Sequence, residues 1–363
     1  MALSVGIVGL PNAGKSTLYR ALTRAHVAIA PYPFTTVAPN VGVAVVPDSR
    51  LEAIARVVGA GRIVPATIRV VDIAGLVRGA HRGEGLGNQF LAHIREVSAL
   101  LHVVRAFQDP EVAHVEGQPD PVRDIGIVET ELALADLGTV VRRRERIAPR
   151  ARSGDAAARA ELEVLEQVEA HLNRGDPVRL LPLTLQEAVR PLHLLTAKPT
   201  AYVLNVGEDG APPDLDAVRA HAERVKSPVV VACLRLEAEL LELAPEEAAA
   251  YRRISGLPDD ALTQVVRAAY GLLDLVTFFS IESGEVRAWP VPRGTAAQEA
   301  AGEIHTDMAR GFIAAEVIDW EELVRAGSVS AAREQGKIRT EGRTYRVQDG
   351  DVITFRFSGG GGS

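Results

Sequence analysis

Short apolar runs rich in β-branched residues punctuate the first two-thirds of the chain: Ser4–Val8, Thr67–Asp72, Ala99–Val104, Ala201–Asn205 and Val229–Ala232. Most are apolar nearly throughout instead of alternating, which is the pattern of strands covered on both faces in a parallel sheet. Segments with helical spacing lie between them, so the predicted fold class is α/β. In such sheets ligands sit beyond the carboxyl ends of the strands, where Gly9, Asp72 and Asn205 all fall. Between Arg105 and Ala201 the chain runs far longer than a crossover helix requires. Within that stretch Leu134, Leu137 and Val141 recur at helical spacing, as do Leu162, Leu165, Val168 and Leu172, with Ser153-Gly154-Asp155 between the two sets. The spacing predicts an inserted helical hairpin. From Thr277 the texture changes to short β-rich pieces, Thr277–Ile281, Val286–Trp289, Tyr345–Val347 and Val352–Phe357, with helical stretches near Thr295–Ile304 and Glu321–Ala326. This predicts a compact α+β module.

Composition narrows the function classes. A chain of 363 residues exceeds one ordinary core, and its 47% hydrophobic content can fill two or three. A formal net charge of −7 argues against a globally basic nucleic-acid binder, and no DNA partner is expected. Any RNA contact is confined to patches such as the hairpin tip, where Arg142, Arg143, Arg144, Arg146, Arg150 and Arg152 surround a lone Glu145. A solvated helix end is the simpler reading of that cluster. The single cysteine, Cys233, rules out an internal disulfide and fits a reducing compartment, so a cytoplasmic location is expected. No apolar stretch approaches the roughly 18 residues of a membrane span, and the apolar start lacks a basic n-region, so it reads as a first strand. The closing Gly359 to Ser363 reads as a flexible tail outside the fold.

The chemistry begins at Gly9-Leu10-Pro11-Asn12-Ala13-Gly14-Lys15-Ser16, a complete G-x-x-x-x-G-K-S loop between the first strand and a helical pattern. Such a loop lets backbone N–H groups, here from Asn12 to Thr17, curl around phosphates, while the helix aims its positive end at them. Lys15 adds a point charge, and the Ser16 hydroxyl is a ligand for Mg²⁺. Only four of the 40 basic residues are lysines, yet one stands here. Asp72-Ile73-Ala74-Gly75 has the form D-x-x-G: the aspartate holds Mg²⁺ through water and the Gly75 amide senses the γ-phosphate. Upstream, Tyr32-Pro33-Phe34-Thr35-Thr36 offers two hydroxyls; Thr36, with Thr35 as the alternative, is expected to complete the Mg²⁺ shell. The glycine-dense stretch from Gly75 to Asn88 reads as a switch governed by the γ-phosphate.

Two departures from ordinary switch GTPases stand out. Leu76 follows D-x-x-G where many carry a glutamine that orients the attacking water, so another group must do so. His81 and His114 are the candidates; His114 is favoured because its loop follows the third strand near the phosphate end, the alternative being a loop histidine without catalytic duty. Asn205-Val206-Gly207-Glu208 stands in place of N-K-x-D. Val206 removes the lysine stem that packs along guanine, and Glu208 is one methylene too long for the bidentate fit to its N1–H and 2-amino group. Unmet donors enforce such discrimination, so a preference for ATP is expected, with GTP as the alternative.

Together GLPNAGKST, YPFTTVAPNVGV, VDIAGLVRGAHRGEGLGNQFL, HVEG, TELALADL, AYVLN, EVRAWP, AAGEIHTDMARGFI and VQDGDV, collinear from Ser4 to Phe357, resemble the Obg-like ATPases of the YchF type. The resemblance implies a Ras-like phosphate-loop domain (1–126 and 198–276) interrupted by a coiled-coil-like helical hairpin (127–197). It also implies a C-terminal TGS domain of β-grasp type (277–357), followed by a tail (358–363). It further implies adenine held near Asn205, Val206 and the loop at Cys233-Leu234, and association with ribosomes. In related cation-dependent members an asparagine at the place of Asn12 ligates K⁺; a plain turn-former is the alternative. The expected function is a Mg²⁺-dependent ATPase switch that converts ATP, and GTP less efficiently, to the diphosphate and phosphate, coupled to a translation-related partner. RNA would be met through the hairpin arginines and the TGS domain. The competing expectations are a GTP-preferring enzyme, or a ribosome-binding module whose nucleotide site is mainly structural.

Overall fold

A computed structural model describes residues 3–27, 40–73, 86–208, 210, 214–254 and 261–358. The chain begins with β1 (Ser4–Val8), α1 (Lys15–Val27), β2 (Val41–Val45), α2 (Ser49–Val58), β3 (Arg62–Val64) and β4 (Thr67–Asp72). Next come α3 (Leu86–Glu96), β5 (Ala99–Ala106), α4 (Pro121–Arg152), α5 (Ala156–Asn173), α6 (Leu183–Val189) and β6 (Thr200–Val206). They are followed by α7 (Leu215–Arg224), β7 (Val229–Ala232), α8 (Leu234–Leu240), α9 (Pro245–Ile254) and α10 (Ala261–Leu272). The remainder forms β8 (Leu275–Glu282), β9 (Glu285–Pro292), α11 (Ala297–Ile304), α12 (Thr306–Arg310), β10 (Phe312–Asp319), α13 (Trp320–Ala326), α14 (Val329–Glu334), β11 (Arg339–Glu341) and β12 (Asp351–Phe357). Two compact units result: Met1–Ala44 with Arg69–Leu272, and Val45–Ile68 with Leu273–Ser363.

The sheet of the first unit has the order β2-β4-β1-β5-β6-β7. β1 lies parallel to β4 on one side and β5 on the other, and β5, β6 and β7 continue in parallel. Strand order reverses between β1 and β5, and in such sheets that switch point opens the ligand crevice. The loop following β1 emerges there. The five strands expected here from apolar runs are all present. β1 and β6 are buried along their full lengths, and α10 and α4 pack against the sheet, which explains why these runs do not alternate.

α4 and α5 form the hairpin. Asp120 caps α4 by accepting the Arg123 N–H at 3.0 Å, Pro121 opens the helix, and Asp155 caps α5 through the Ala158 N–H at 3.0 Å. Val140, Ile147, Leu165, Val168 and Leu172 join Val178, Leu181, Val189 and Leu194 in a core of their own. Acidic partners hold half of the tip arginines: Arg143 pairs with Glu161, Arg144 with Glu169 and Arg150 with Asp155. At the hairpin's base the buried Asp136 carboxylate accepts the Leu195 and Thr196 N–H groups, both at 2.8 Å, and the Thr196 hydroxyl at 2.7 Å.

The second unit holds a mixed sheet of order β11-β10-β12-β8-β9-β3. β8–β9 and β10–β12 are antiparallel pairs joined by the parallel neighbours β12 and β8, and α11 packs across β9 and β10, a β-grasp arrangement. Val45–Ile68, expected from the sequence to belong to the nucleotide domain, is built into this unit instead. β3 adds as an edge strand parallel to β9, and α2 packs on β9 and α13. Arg50 of α2 bridges Asp48 and Asp349, each at 2.7 Å, and lies 5.2 Å above the Phe279 ring. Tyr345–Val347, expected as a strand, forms only an isolated bridge between Arg346 and Ala296. Turns on either side crowd it: the Tyr345 N–H closes back on Gly342, and Asp349-Gly350 turns the chain into β12.

Candidate functional site

Two glycines shape the loop after β1. At Gly9, φ is +147° and a Cβ would come within 2.3 Å of the Val103 carbonyl oxygen; at Gly14, φ is +103° and a Cβ would lie 2.4 Å from the Asn205 amide nitrogen. Only glycine allows the backbone to turn this closely against β5 and β6. The loop leads directly into Lys15, the first residue of α1, so the positive end of the helix faces the loop. Asn12 sits at φ +61°, which asparagine tolerates, and its amide donates to the Ala113 carbonyl at 3.0 Å.

The Lys15 ammonium donates to the Leu10 carbonyl at 2.7 Å across the loop and is only 8% exposed. Burial pulls it down to about 8 from 10.5, against the upward pull of the Asp72 carboxylate. Because its folded pKa is depressed, the charged form is penalised below about 8, and the free protein gains stability as pH rises from there toward 10.5. A triphosphate bound against this ammonium would restore the charge. At about pH 9 nucleotide binding is therefore expected to take up close to one proton, and at about pH 7 almost none. Calorimetry in buffers of different ionisation enthalpy reads this; an enthalpy independent of buffer at the higher pH would contradict it.

The Ser16 hydroxyl donates to Asp72 Oδ2 at 3.1 Å, bringing the loop and the end of β4 together. A hydroxyl and a carboxylate are the oxygen donors that Mg²⁺ takes, so this pair fits the ion. Thr36, Gly75 and His81 lie outside the described residues.

A cavity of about 900 Å³ opens over the carboxyl ends of the strands. Asn12, Gly14, Lys15, Ser16 and Thr17 line one end, and Asn205, Val206, Glu208 and Cys233 line another part. Asn205 works first as a clip: its amide donates to the Ala13 carbonyl at 3.0 Å and accepts the Leu234 N–H at 3.1 Å, locking the phosphate loop to the start of α8. Ala13 and Leu234, both expected at the site, do not line the cavity; their backbones hold Asn205 in place. Sequence reasoning missed two walls. One comes from α8 and the turn after it, with Arg235, Ala238, Glu239 and Glu242; the other from the loop after β5, with Phe107, Gln108, Asp109 and Val112. With aromatics at only 4% of the chain, a phenylalanine directly beyond a buried strand was the available signal.

His114 lies away from the cavity lining. Its ring is buried, Nε2 lies 2.8 Å from Asp124 Oδ2, and Nδ1 accepts the Glu116 N–H at 3.1 Å. Since Nδ1 accepts, the proton sits on Nε2 and is donated to Asp124. Nε2 ties the loop to α4, Nδ1 closes a turn within the loop at Glu116, and the ring does not line the cavity.

Two family models match the chain: one described as "50S ribosome-binding GTPase" over residues 4–135, and the C-terminal YchF GTPase family, described as "Protein of unknown function (DUF933)", over residues 275–358. The "Ribosome-binding ATPase YchF" of Escherichia coli O157:H7 is 47% identical over 362 residues, covering 99% of this chain and all of that protein. The chain belongs to the YchF family. The protein of that name from Bacillus subtilis (strain 168) is 45% identical over 365 residues, with 99% of this chain and 100% of that one covered. The solved structure of the Schizosaccharomyces pombe YchF GTPase superposes with a TM-score of 0.87 at 32% identity, over 98% of this chain and 97% of that one. The GTPase family model spans the phosphate loop and Asp72, and the C-terminal family model spans β8 to β12.

Proposed function

We infer that this chain is a ribosome-associated, Mg²⁺-dependent nucleoside triphosphatase that works in the cytoplasm and prefers ATP. The observation that carries the reading is the cavity lined by Lys15, by Ser16 with its bond to Asp72, and by an Asn205 clip that lacks a following lysine. Phosphates lie against the backbone of Asn12 to Thr17, with Lys15 supplying the charge. Ser16 and Thr36 would hold Mg²⁺, with Asp72 supporting it through water, and the ion would supply positive charge against the phosphates. Val206 and Cys233 give the base an apolar seat, Glu208 borders it, and Phe107 offers an aromatic face. Asn12 is the candidate ligand for K⁺. The hairpin arginines and the C-terminal unit are the surfaces offered to ribosomal RNA. A preference for GTP is the second reading, because the solved relative from Schizosaccharomyces pombe is titled a GTPase.

Competition of ATP against GTP for the purified chain, with and without K⁺, tests the base preference. ATP is expected to bind at least tenfold more tightly, and a clear preference for GTP would defeat the argument from Val206 and Glu208.

His114 orients the attacking water in this reading, which requires its bond to Asp124 to open. His114→Ala is expected to lower kcat by at least about tenfold, the scale of a positioned proton-handling side chain, while the ATP dissociation constant stays within about threefold. The same change removes the donor to Asp124 Oδ2, although Arg123 still pairs with Oδ1 at 2.9 Å, and costs about 1–3 kcal/mol of stability, so the assay belongs well below the melting temperature. An unchanged kcat would leave His114 only its structural tie.

A further inference from the structure

Arg105, the penultimate residue of β5, is 2% exposed, and among the described residues no carboxylate lies within ion-pair distance of it. A buried guanidinium is retained only where its donors are satisfied. Here they are spent on one loop. Nε donates to the Phe107 carbonyl at 3.3 Å, Nη2 to Asp109 at 3.2 Å, and Nη1 to Val112 at 2.8 Å and more weakly to Ala113 at 3.4 Å. The guanidinium carbon also lies 4.5 Å from the centre of the Phe107 ring. Three of these loop residues, Phe107, Asp109 and Val112, line the nucleotide cavity. The fourth, Ala113, accepts the bond from Asn12 of the phosphate loop, and Arg105 itself stands in register beside Asn205.

We propose that Arg105 is a positioning residue that builds the 107–113 wall of the cavity before nucleotide arrives, holding Phe107 where a base can meet it. The inference rests on the cavity being the nucleotide site. The planar fork reaches four carbonyls and a ring face at once. Lysine, with three donors radiating from one point and no plane to stack, cannot reproduce this, so Arg105→Lys is not a conservative change here. A wall set in advance spares the ordering cost of forming it on binding.

The test compares MgATP with Mg-tripolyphosphate on the full chain, using Arg105→Lys, Arg105→Gln, Phe107→Ala and the Arg105→Lys/Phe107→Ala double variant. Affinity for tripolyphosphate is expected to stay within threefold, while ATP weakens at least tenfold in each single variant and hardly further in the double one. Parallel weakening of both ligands, or no change for ATP, would overturn the proposal. Hydrogen exchange on the unaltered chain covers variants that fail to fold. The Glu111 and Val112 amides, which donate to the Asp109 side chain and carbonyl, are expected to be protected without nucleotide. Exchange at unstructured rates until MgATP is added would overturn it. An unaltered chain that binds neither ligand would refute the nucleotide reading, and exchange would still report on the wall.

Discussion

Lys15→Ala is expected to weaken MgATP binding by about 100-fold, the upper range for losing one hydrogen-bonding partner of a charged group. Hydrolysis should fall with it. The variant should nonetheless fold as well as its parent. In the free protein the ammonium is buried beside one carbonyl and held below its ordinary range by desolvation, so removing it relieves a cost. This separates loss of function from loss of structure. Ligand at about 100 times its dissociation constant stabilises a protein by about 2.7 kcal/mol. MgATP should therefore raise the melting temperature of the parent by several degrees and barely move that of Lys15→Ala, for which the same concentration adds only about 0.4 kcal/mol. A variant that melts higher with MgATP, to the same extent as the parent, would show that the ammonium does not grip the triphosphate.

Cutting the chain after Leu272 is expected to yield an aggregating product and not a soluble nucleotide-binding unit. The cut removes β8 to β12 but leaves Val45–Ile68, which folds with them. β3 would lose its neighbour β9, and Arg50 would lose Asp349 and Phe279. Leu51, Ile54 and Val64, all at most 4% exposed, would face water. At about 1.5–3 kcal/mol for each large apolar side chain, that burial is comparable with the entire stability of a typical domain. Deleting Val45–Ile68 as well, with a short glycine linker in its place, should recover soluble material. Gel filtration and a thermal melt decide: a monomeric, cooperatively melting 1–272 fragment would contradict the shared fold.

That second case marks where sequence patterning stopped being informative. The strands of the first sheet were legible because they are covered on both faces, so each reads as an uninterrupted apolar run of its own. The hairpin was legible because α4 and α5 bury a continuous stripe along their length. Val45–Ile68 carries the same kinds of local signal, a capped helix from Ser49 and a three-residue strand, but nothing local says which sheet a strand joins. Membership is decided by partners more than 200 residues away, Arg62–Val64 against Glu285–Arg287. β10 was missed for a related reason: Phe312–Asp319 mixes alanines and acidic residues with its apolar positions, and its burial comes from α11, α13 and two neighbouring strands.

The site divides in the same way. The phosphate loop and Asp72 were readable because backbone curvature and charge dictate residue type at fixed spacing. The walls of the cavity were not, since the loop after β5 and the face of α8 need only the right shape. Loop position alone does not give the direction of the His114 ring. Its place in the chain suggested the phosphate end; Nε2 meets Asp124 of α4, while Nδ1 takes the Glu116 N–H of its own loop. Asn205, expected near the base, lines the cavity and also locks Ala13 to Leu234.

Isothermal titration of the full chain with ATP, in the presence and absence of Mg²⁺, addresses the cavity at the end of β1 most directly. One saturable site per chain, strengthened by the ion and lost in Lys15→Ala, is the predicted result. Folded protein that gives no Mg²⁺-dependent binding with ATP, and none with GTP, would contradict it.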